Sequence, residues 1–167
     1  QTDDTINMVR LIYITIPMIA FLVFNYPWGK VFMGDLGAYF FGFVISLMTI
    51  IIFADHPEIP TWAAVLILFY PAWELLFSVC RKVIEGHDPM IPDLHHLHLK
   101  MYHFLNAGII KPRVSNGMVM PSLALIWSTP FVLLVWVYHS LTLTLLALFF
   151  MMIVYGGFYW AMPRKKN

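Results

Sequence analysis

Gly29-Lys30-Val31-Phe32-Met33-Gly34-Asp35-Leu36-Gly37-Ala38 is the stretch around which the chain is organised. It sets an ammonium and a carboxylate at the mouth of an apolar run, with glycines on both sides. Glycine lets the backbone turn sharply and lets a bulky ligand come close. Ionisable groups at the edge of a membrane-spanning segment are functional candidates by default. The plainer alternative is that Gly34-Asp35 caps the next helix, Asp being a favoured N-cap residue. The segments on either side weigh against that alternative.

Working outward, 60% of the 167 residues are hydrophobic and 11% are charged, with a mean hydropathy of +0.77. A soluble domain carries roughly a quarter charged residues, so the composition is that of an integral membrane protein. The formal net charge of +1 points neither to nucleic acid nor to an acidic partner. Cys80 is the only cysteine, which excludes an intrachain disulfide and argues against a metal–thiolate site. No basic segment precedes an apolar stretch at the start, so no signal peptide is expected.

Apolar runs of about 20 residues are what a bilayer core demands of a helix. Five such runs are expected, over 11–26, 36–54, 61–80, 119–138 and 141–162, which makes the chain an all-α polytopic membrane protein forming a single membrane domain over 1–167. Pro27 discourages helix at Tyr26, and Trp28 belongs at an interface. The third run contains Pro71 and Glu74. Pro71 predicts a kink near the middle of that helix. Glu74 lies about two turns from the exit at Arg81-Lys82, either as a tolerated carboxylate that pairs or snorkels or as a substrate-facing group.

Residues 81–117 form the one long polar segment and hold Arg81, Lys82, Lys100, Lys111 and Arg113. Placing this loop in the cytoplasm by the positive-inside rule puts the Lys30 turn and the basic tail on the same side. The 55–60 turn and His139-Ser140 then face outward, and only Arg10 is on the wrong side. Asp35 and the histidine-rich loop are thus expected to share a compartment.

That loop carries Asp88-Pro89-Met90-Ile91-Pro92-Asp93-Leu94-His95-His96-Leu97-His98-Leu99-Lys100. Pro92-Asp93 predicts a helix start with Asp93 as N-cap. Leu94, Leu97, Met101, Phe104 and Leu105 then share one face of an amphipathic helix at the membrane surface, with His96, Lys100 and His103 pointing elsewhere. A regular helix separates His96 from His98 by roughly 200°. Either the backbone is not helical there, or the two imidazoles reach a ligand from different sides. Imidazoles ligate metals, move protons and hydrogen-bond phosphate oxygens. A helix N-terminus nearby favours phosphate. A multi-His metal centre is the weaker option, because His56, His87, His103 and His139 are scattered singles.

Asn25…Pro27…Lys30-Val31-Phe32-Met33-Gly34-Asp35-x-Gly37, an apolar span, and later Pro92-Asp93-x-x-His96-x-His98 together resemble one family. It is that of the polyprenyl-phosphate N-acetylhexosamine-1-phosphate transferases, glycosyltransferase family 4, and the resemblance is to their C-terminal half. It implies transfer of an N-acetylhexosamine 1-phosphate from a UDP-sugar to polyprenyl (undecaprenyl) phosphate, with Mg²⁺ as cofactor and release of UMP, to start a cell-envelope glycan. The implied setting is the bacterial inner membrane with a cytoplasmic active face. The implied partners are UDP-N-acetylhexosamine, polyprenyl phosphate and membrane lipids, with no nucleic acid and with room for a homodimer.

By this resemblance Asp35 matches the catalytic aspartate at the Mg²⁺–pyrophosphate site and is the metal ligand. His96 and His98 match the first two histidines of a His-x-His-His pattern that binds nucleotide-sugar phosphate. Asn25 and Lys30 match the entry to the Gly-Asp motif, and Asp93 and His95 complete the substrate-binding set. Ala38 stands where the family usually has Ser, Leu99 at the third histidine, and Leu94 at a commonly basic position. The family's paired aspartates and its Asn-x-x-Asp-Gly loop have no equivalent in these residues, so the chain alone is expected to be catalytically incomplete. The competing expectation is a non-catalytic membrane protein of the same fold that binds lipid or a partner.

Overall fold

The computed structural model describes residues 2–31, 33–91, 95–107 and 112–162. They form helices joined by turns and fall into two compact units, Gln1–Ile59 and Pro60–Asn167.

The first unit is an antiparallel hairpin of α1 (Thr2–Asn25) and α2 (Gly34–Asp55). Both are apolar over more than 20 residues, long enough at 1.5 Å per residue to cross about 30 Å of hydrocarbon. Their outward side chains are bare: Tyr13, Val23, Leu36 and Tyr39 stand 71–87% exposed. Lipid tolerates such a surface and water does not. Helix α1 begins well before residue 11, because the polar groups of its first turns find partners. Asn7 donates to Asp55 at 2.7 Å, Arg10 donates to Asn7 at 3.1 Å, and His56 lies 2.9 Å from Asp4. These contacts tie the start of α1 to the end of α2.

The second unit comprises α3 (Trp62–Ile67), α4 (Phe69–Ile84), α5 (Leu97–Ala107), α6 (Pro112–Ser122), α7 (Ala124–Val137) and α8 (Leu141–Ala161). The expected span over 61–80 is here the broken pair α3–α4. The break falls at Leu68, near the middle of the run, where the kink was expected. Pro71 has no N–H to give the Ile67 carbonyl, and its ring clashes with that carbonyl, so the helix stops and restarts. Pro71 then occupies the first turn of α4, where a missing N–H leaves nothing unsatisfied. Among the described residues four helical runs are long and apolar enough to span a membrane: 4–25, 34–55, 114–137 and 141–161.

Helices α7 and α8 form a second hairpin. Ser140 caps α8 by accepting from the Leu143 N–H, and the buried Thr144 hydroxyl is within hydrogen-bond distance of the Val137 and Ser140 carbonyls. Leu66, Phe69, Leu97, Met101, Val119, Leu123, Ile126, Leu148, Met151, Tyr155 and Tyr159 belong to one buried cluster, to which every helix of the second unit contributes. Ala63 and Ala147 are buried, and small residues of this kind let membrane helices approach closely.

Candidate functional site

In the first unit the motif forms the α1–α2 turn. Gly29 N–H donates to the Asn25 carbonyl at 2.6 Å, and Val31 N–H reaches the Asn25 side-chain oxygen at 3.4 Å. Asn25 therefore shapes the turn from within it. Gly29 and Gly34 have φ of 58° and 67°, the left-handed region that favours glycine. A Cβ on Gly34 would meet nothing within 4 Å, so the glycine there serves the backbone and not the space. At Gly37 a Cβ would lie 2.6 Å from Met33 Cγ, so the bare Cα leaves room for the Met33 side chain.

Lys30 is exposed on this turn, and Asp35 is exposed in the first turn of α2. Asp35 is not the cap: Met33 holds that place, with no side-chain hydrogen bond. The carboxylate instead sits at the helix's positive end, where the dipole and open N–H groups favour negative charge. An ammonium and a carboxylate are thereby presented at one end of a membrane hairpin.

In the second unit the organising group is Glu74, which sequence reasoning left open between two roles. It is buried in α4, and three donors fill its oxygens. Oε1 accepts from Leu97 N–H at 2.7 Å and lies 3.1 Å from His96 Nδ1; Oε2 accepts from the Tyr155 hydroxyl at 2.8 Å. One carboxylate thus joins α4, the start of α5 and α8. A carboxylate inside an apolar helix and a tyrosine inside another were the available signals, but sequence does not reveal that they meet.

Helix α5 starts at Leu97, and His95 and His96 lie ahead of it in non-helical backbone. The irregular-backbone alternative for His96 and His98 is therefore the one realised. Their rings lie nearly parallel, 14° apart with centroids at 5.6 Å. His95 and His96 are half-buried and His98 is exposed. Desolvation pushes the His98 imidazole below its usual value, with His96 adding to the effect and Glu74 opposing it. Although the residue is exposed by area, its ring lies alongside that of His96. Asp93, the expected N-cap, lies outside the described residues.

The lysines depart from expectation. Lys100 is buried, not turned away from the apolar face: its Nζ donates to the Tyr159 carbonyl at 2.6 Å and sits 3.9 Å from the centre of the Tyr159 ring. Lys82 Nζ donates to the carbonyls of Pro89 at 3.1 Å and Ile91 at 2.5 Å, fixing the loop that leads to the histidines. Phe104, expected on the packed face, is half exposed, while Leu97 and Met101 are buried as expected.

Among the described residues no three His, Cys, Asp or Glu side chains gather into a metal-binding group. Asp35 offers a single hard oxygen donor at an open helix end. That fits a cation such as Mg²⁺, which is commonly held by one or two carboxylates together with substrate phosphates and water.

The turn that carries Asn25, Lys30 and Asp35 falls within a stretch of known kind, since residues 1–53 match glycosyl transferase family 4. Over this segment the chain is similar to that family. Over 81 residues, 48% of the chain, the sequence is 33% identical to the undecaprenyl-phosphate alpha-N-acetylglucosaminyl 1-phosphate transferase of Thermotoga maritima. Over 87 residues, 52% of the chain, it is 26% identical to a probable undecaprenyl-phosphate N-acetylglucosaminyl 1-phosphate transferase of Bacillus subtilis. The matched stretches span about a quarter of these relatives, 26% and 24% of their lengths. No solved structure matches the chain. The family match ends before the histidine loop.

Proposed function

We propose that this chain supplies part of the active site of a membrane enzyme that moves an N-acetylhexosamine 1-phosphate from a UDP-sugar to polyprenyl phosphate. The observation that carries this reading is the Asp35 turn. It lies inside the family-matched segment and presents an exposed carboxylate and an exposed ammonium at the end of a membrane hairpin. Soluble nucleotide and lipid phosphate meet at such a boundary. The named relatives, both undecaprenyl-phosphate N-acetylglucosaminyl 1-phosphate transferases, support undecaprenyl phosphate as the acceptor.

In the reaction an oxygen of the lipid phosphate attacks the β-phosphorus of the UDP-sugar. The bond from that phosphorus to the bridging oxygen breaks, and UMP leaves with the bonding pair. Catalysis of this kind is mostly positioning and neutralisation of charge. Asp35 is the residue that would hold Mg²⁺, and the bound ion supplies positive charge at the diphosphate. Lys30 binds a phosphate oxygen as a mobile point charge. His96 and His98 bind the nucleotide-sugar phosphates. The proposal sets this chemistry on the cytoplasmic side of a bacterial inner membrane, with the product feeding a cell-envelope glycan. It also assigns the remaining machinery to a longer protein of which this chain is a portion.

The test is release of UMP by the full-length protein, with dependence on both Mg²⁺ and polyprenyl phosphate. Asp35→Asn keeps the size of the side chain and removes its charge. The expected result is a loss of turnover of about a hundredfold or more, as for removal of a preorganised charge at a transferring group. Turnover unchanged by Asp35→Asn overturns the assignment.

A further inference from the structure

We infer that Glu74 is a positioning residue for the phosphate-binding histidine His96, an inference that rests on the transferase reading. The carboxylate is held in place before it holds anything else. Tyr155 donates to Oε2 from α8, and Leu97 N–H donates to Oε1 from the first turn of α5. His96 is the residue immediately before Leu97, so the same carboxylate grips its backbone neighbour and its ring, with Nδ1 at 3.1 Å. A ring fixed at both points has little freedom to turn.

A carboxylate only accepts, so the proton of this contact is on Nδ1. That leaves Nε2 as the nitrogen open to a ligand, on a ring lying beside and nearly parallel to that of His98. In the imidazolium form Nε2–H donates to a phosphate oxygen, while Glu74 carries the balancing negative charge across the ring. The pattern is that of a histidine oriented through its second nitrogen by a carboxylate. Glu74 touches no substrate in this scheme. The titratable groups around the pair are Tyr70 on α4, His98 on α5 and Tyr155 on α8, with Lys100 and Tyr159 beyond them.

The experiment uses the full-length protein in lipid nanodiscs and measures UMP release against UDP-sugar concentration. Glu74→Gln is made in the native and in the His96→Ala background. The expected result in the native background is a KM for UDP-sugar raised about fivefold, the difference between a charged and a neutral hydrogen-bond partner, with kcat within about twofold. In the His96→Ala background the same substitution changes KM by less than about 1.5-fold, because the group through which it acts is gone. Tyr155→Phe removes one bond to the carboxylate with little change of shape. It raises KM about twofold in the native background alone. An unchanged KM in Glu74→Gln, or an equal change in both backgrounds, overturns the positioning role while leaving the transferase reading intact. Absence of UMP release from the native protein defeats both.

Discussion

Lys100→Met measures how firmly a buried ammonium docks α5 on α8. Tyr159, whose carbonyl accepts the 2.6 Å bond from Nζ, is in the last turn of α8. Carbonyls there have no partner within the helix, and the dipole is negative. The lysine supplies both the missing donor and the favourable charge. Methionine keeps most of the apolar stem and removes the ammonium. A hydrogen bond from a charged group is worth about 1.5–3 kcal/mol. The contact 3.9 Å from the Tyr159 ring centre adds about 1–2 kcal/mol when desolvated. Release of the ammonium from its buried position works against these terms and cancels a large part of them. The expected net loss is about 2 kcal/mol, read from reversible unfolding of the full-length protein in mixed micelles by tryptophan emission. Backbone hydrogen exchange over 97–107 should quicken in the same variant. A loss below about 0.5 kcal/mol, the usual range of an inert surface change, refutes the docking role.

Two further predictions concern the first unit. Gly34→Ala introduces no clash but forces a side chain into left-handed backbone, so the hairpin should lose about 1 kcal/mol in the same unfolding assay, and an unaltered midpoint refutes the conformational argument. At the opposite end His56 lies between Asp4 at 2.9 Å and Glu58 at 3.1 Å. The hydrogen bond to Glu58 raises the imidazole above its usual value, with Asp4 adding and desolvation opposing. A raised histidine contributes fully below its ordinary value, and the contribution fades as pH climbs through the raised one. Glu58 is lowered, first by its own backbone hydrogen bond and then by His56, so its contribution is lost only as pH falls through the depressed value. Amide exchange over the first turns of α1, corrected for intrinsic rate, should therefore be slowest in mildly acidic buffer and faster at alkaline pH. Equal protection at both, or a pH response that survives His56→Ala, refutes the latch.

What the sequence made legible follows from the range of each signal. Apolar run length needs no partner to be read, so α2 (Gly34–Asp55) and α8 (Leu141–Ala161) lie close to where hydropathy puts them, over 36–54 and 141–162. A proline's effect is also local: Pro71 acts on the carbonyl four residues earlier, and the break at Leu68 falls near the middle of the 61–80 run, as expected. The start of α1 was hidden because Asp4, Asn7 and Arg10 read as polar, whereas Asp4 and Asn7 are partnered by His56 and Asp55, about fifty residues away, and Arg10 by Asn7. Glu74 shows the same limit more sharply. Its environment is made by Leu97 and Tyr155, on helices that sequence cannot bring together. Spacing did establish that a regular helix would part His96 from His98, and so posed the question that the backbone answers.

The basic residues of the long loop carry a consequence for the chemistry. Counted as charges, Arg81, Lys82 and Lys100 look like a ready phosphate-binding set beside the histidines. In the fold each is engaged elsewhere: Arg81 pairs with Glu85 at 2.8 Å, Lys82 holds two loop carbonyls, and Lys100 closes the end of α8. Lys82 and Lys100 thereby fix the backbone on either side of His95, His96 and His98. An imidazole binds phosphate less strongly than an ammonium, but its charge can be switched on by a proton when an anion arrives and off when it departs. On the proposed reading UMP must leave after each turnover, and permanent cations crowded around it would slow that step. On that reading Lys82 and Lys100 anchor the backbone and the histidines meet the ligand, with Glu74 holding one imidazole in place, a division of labour that suits repeated turnover.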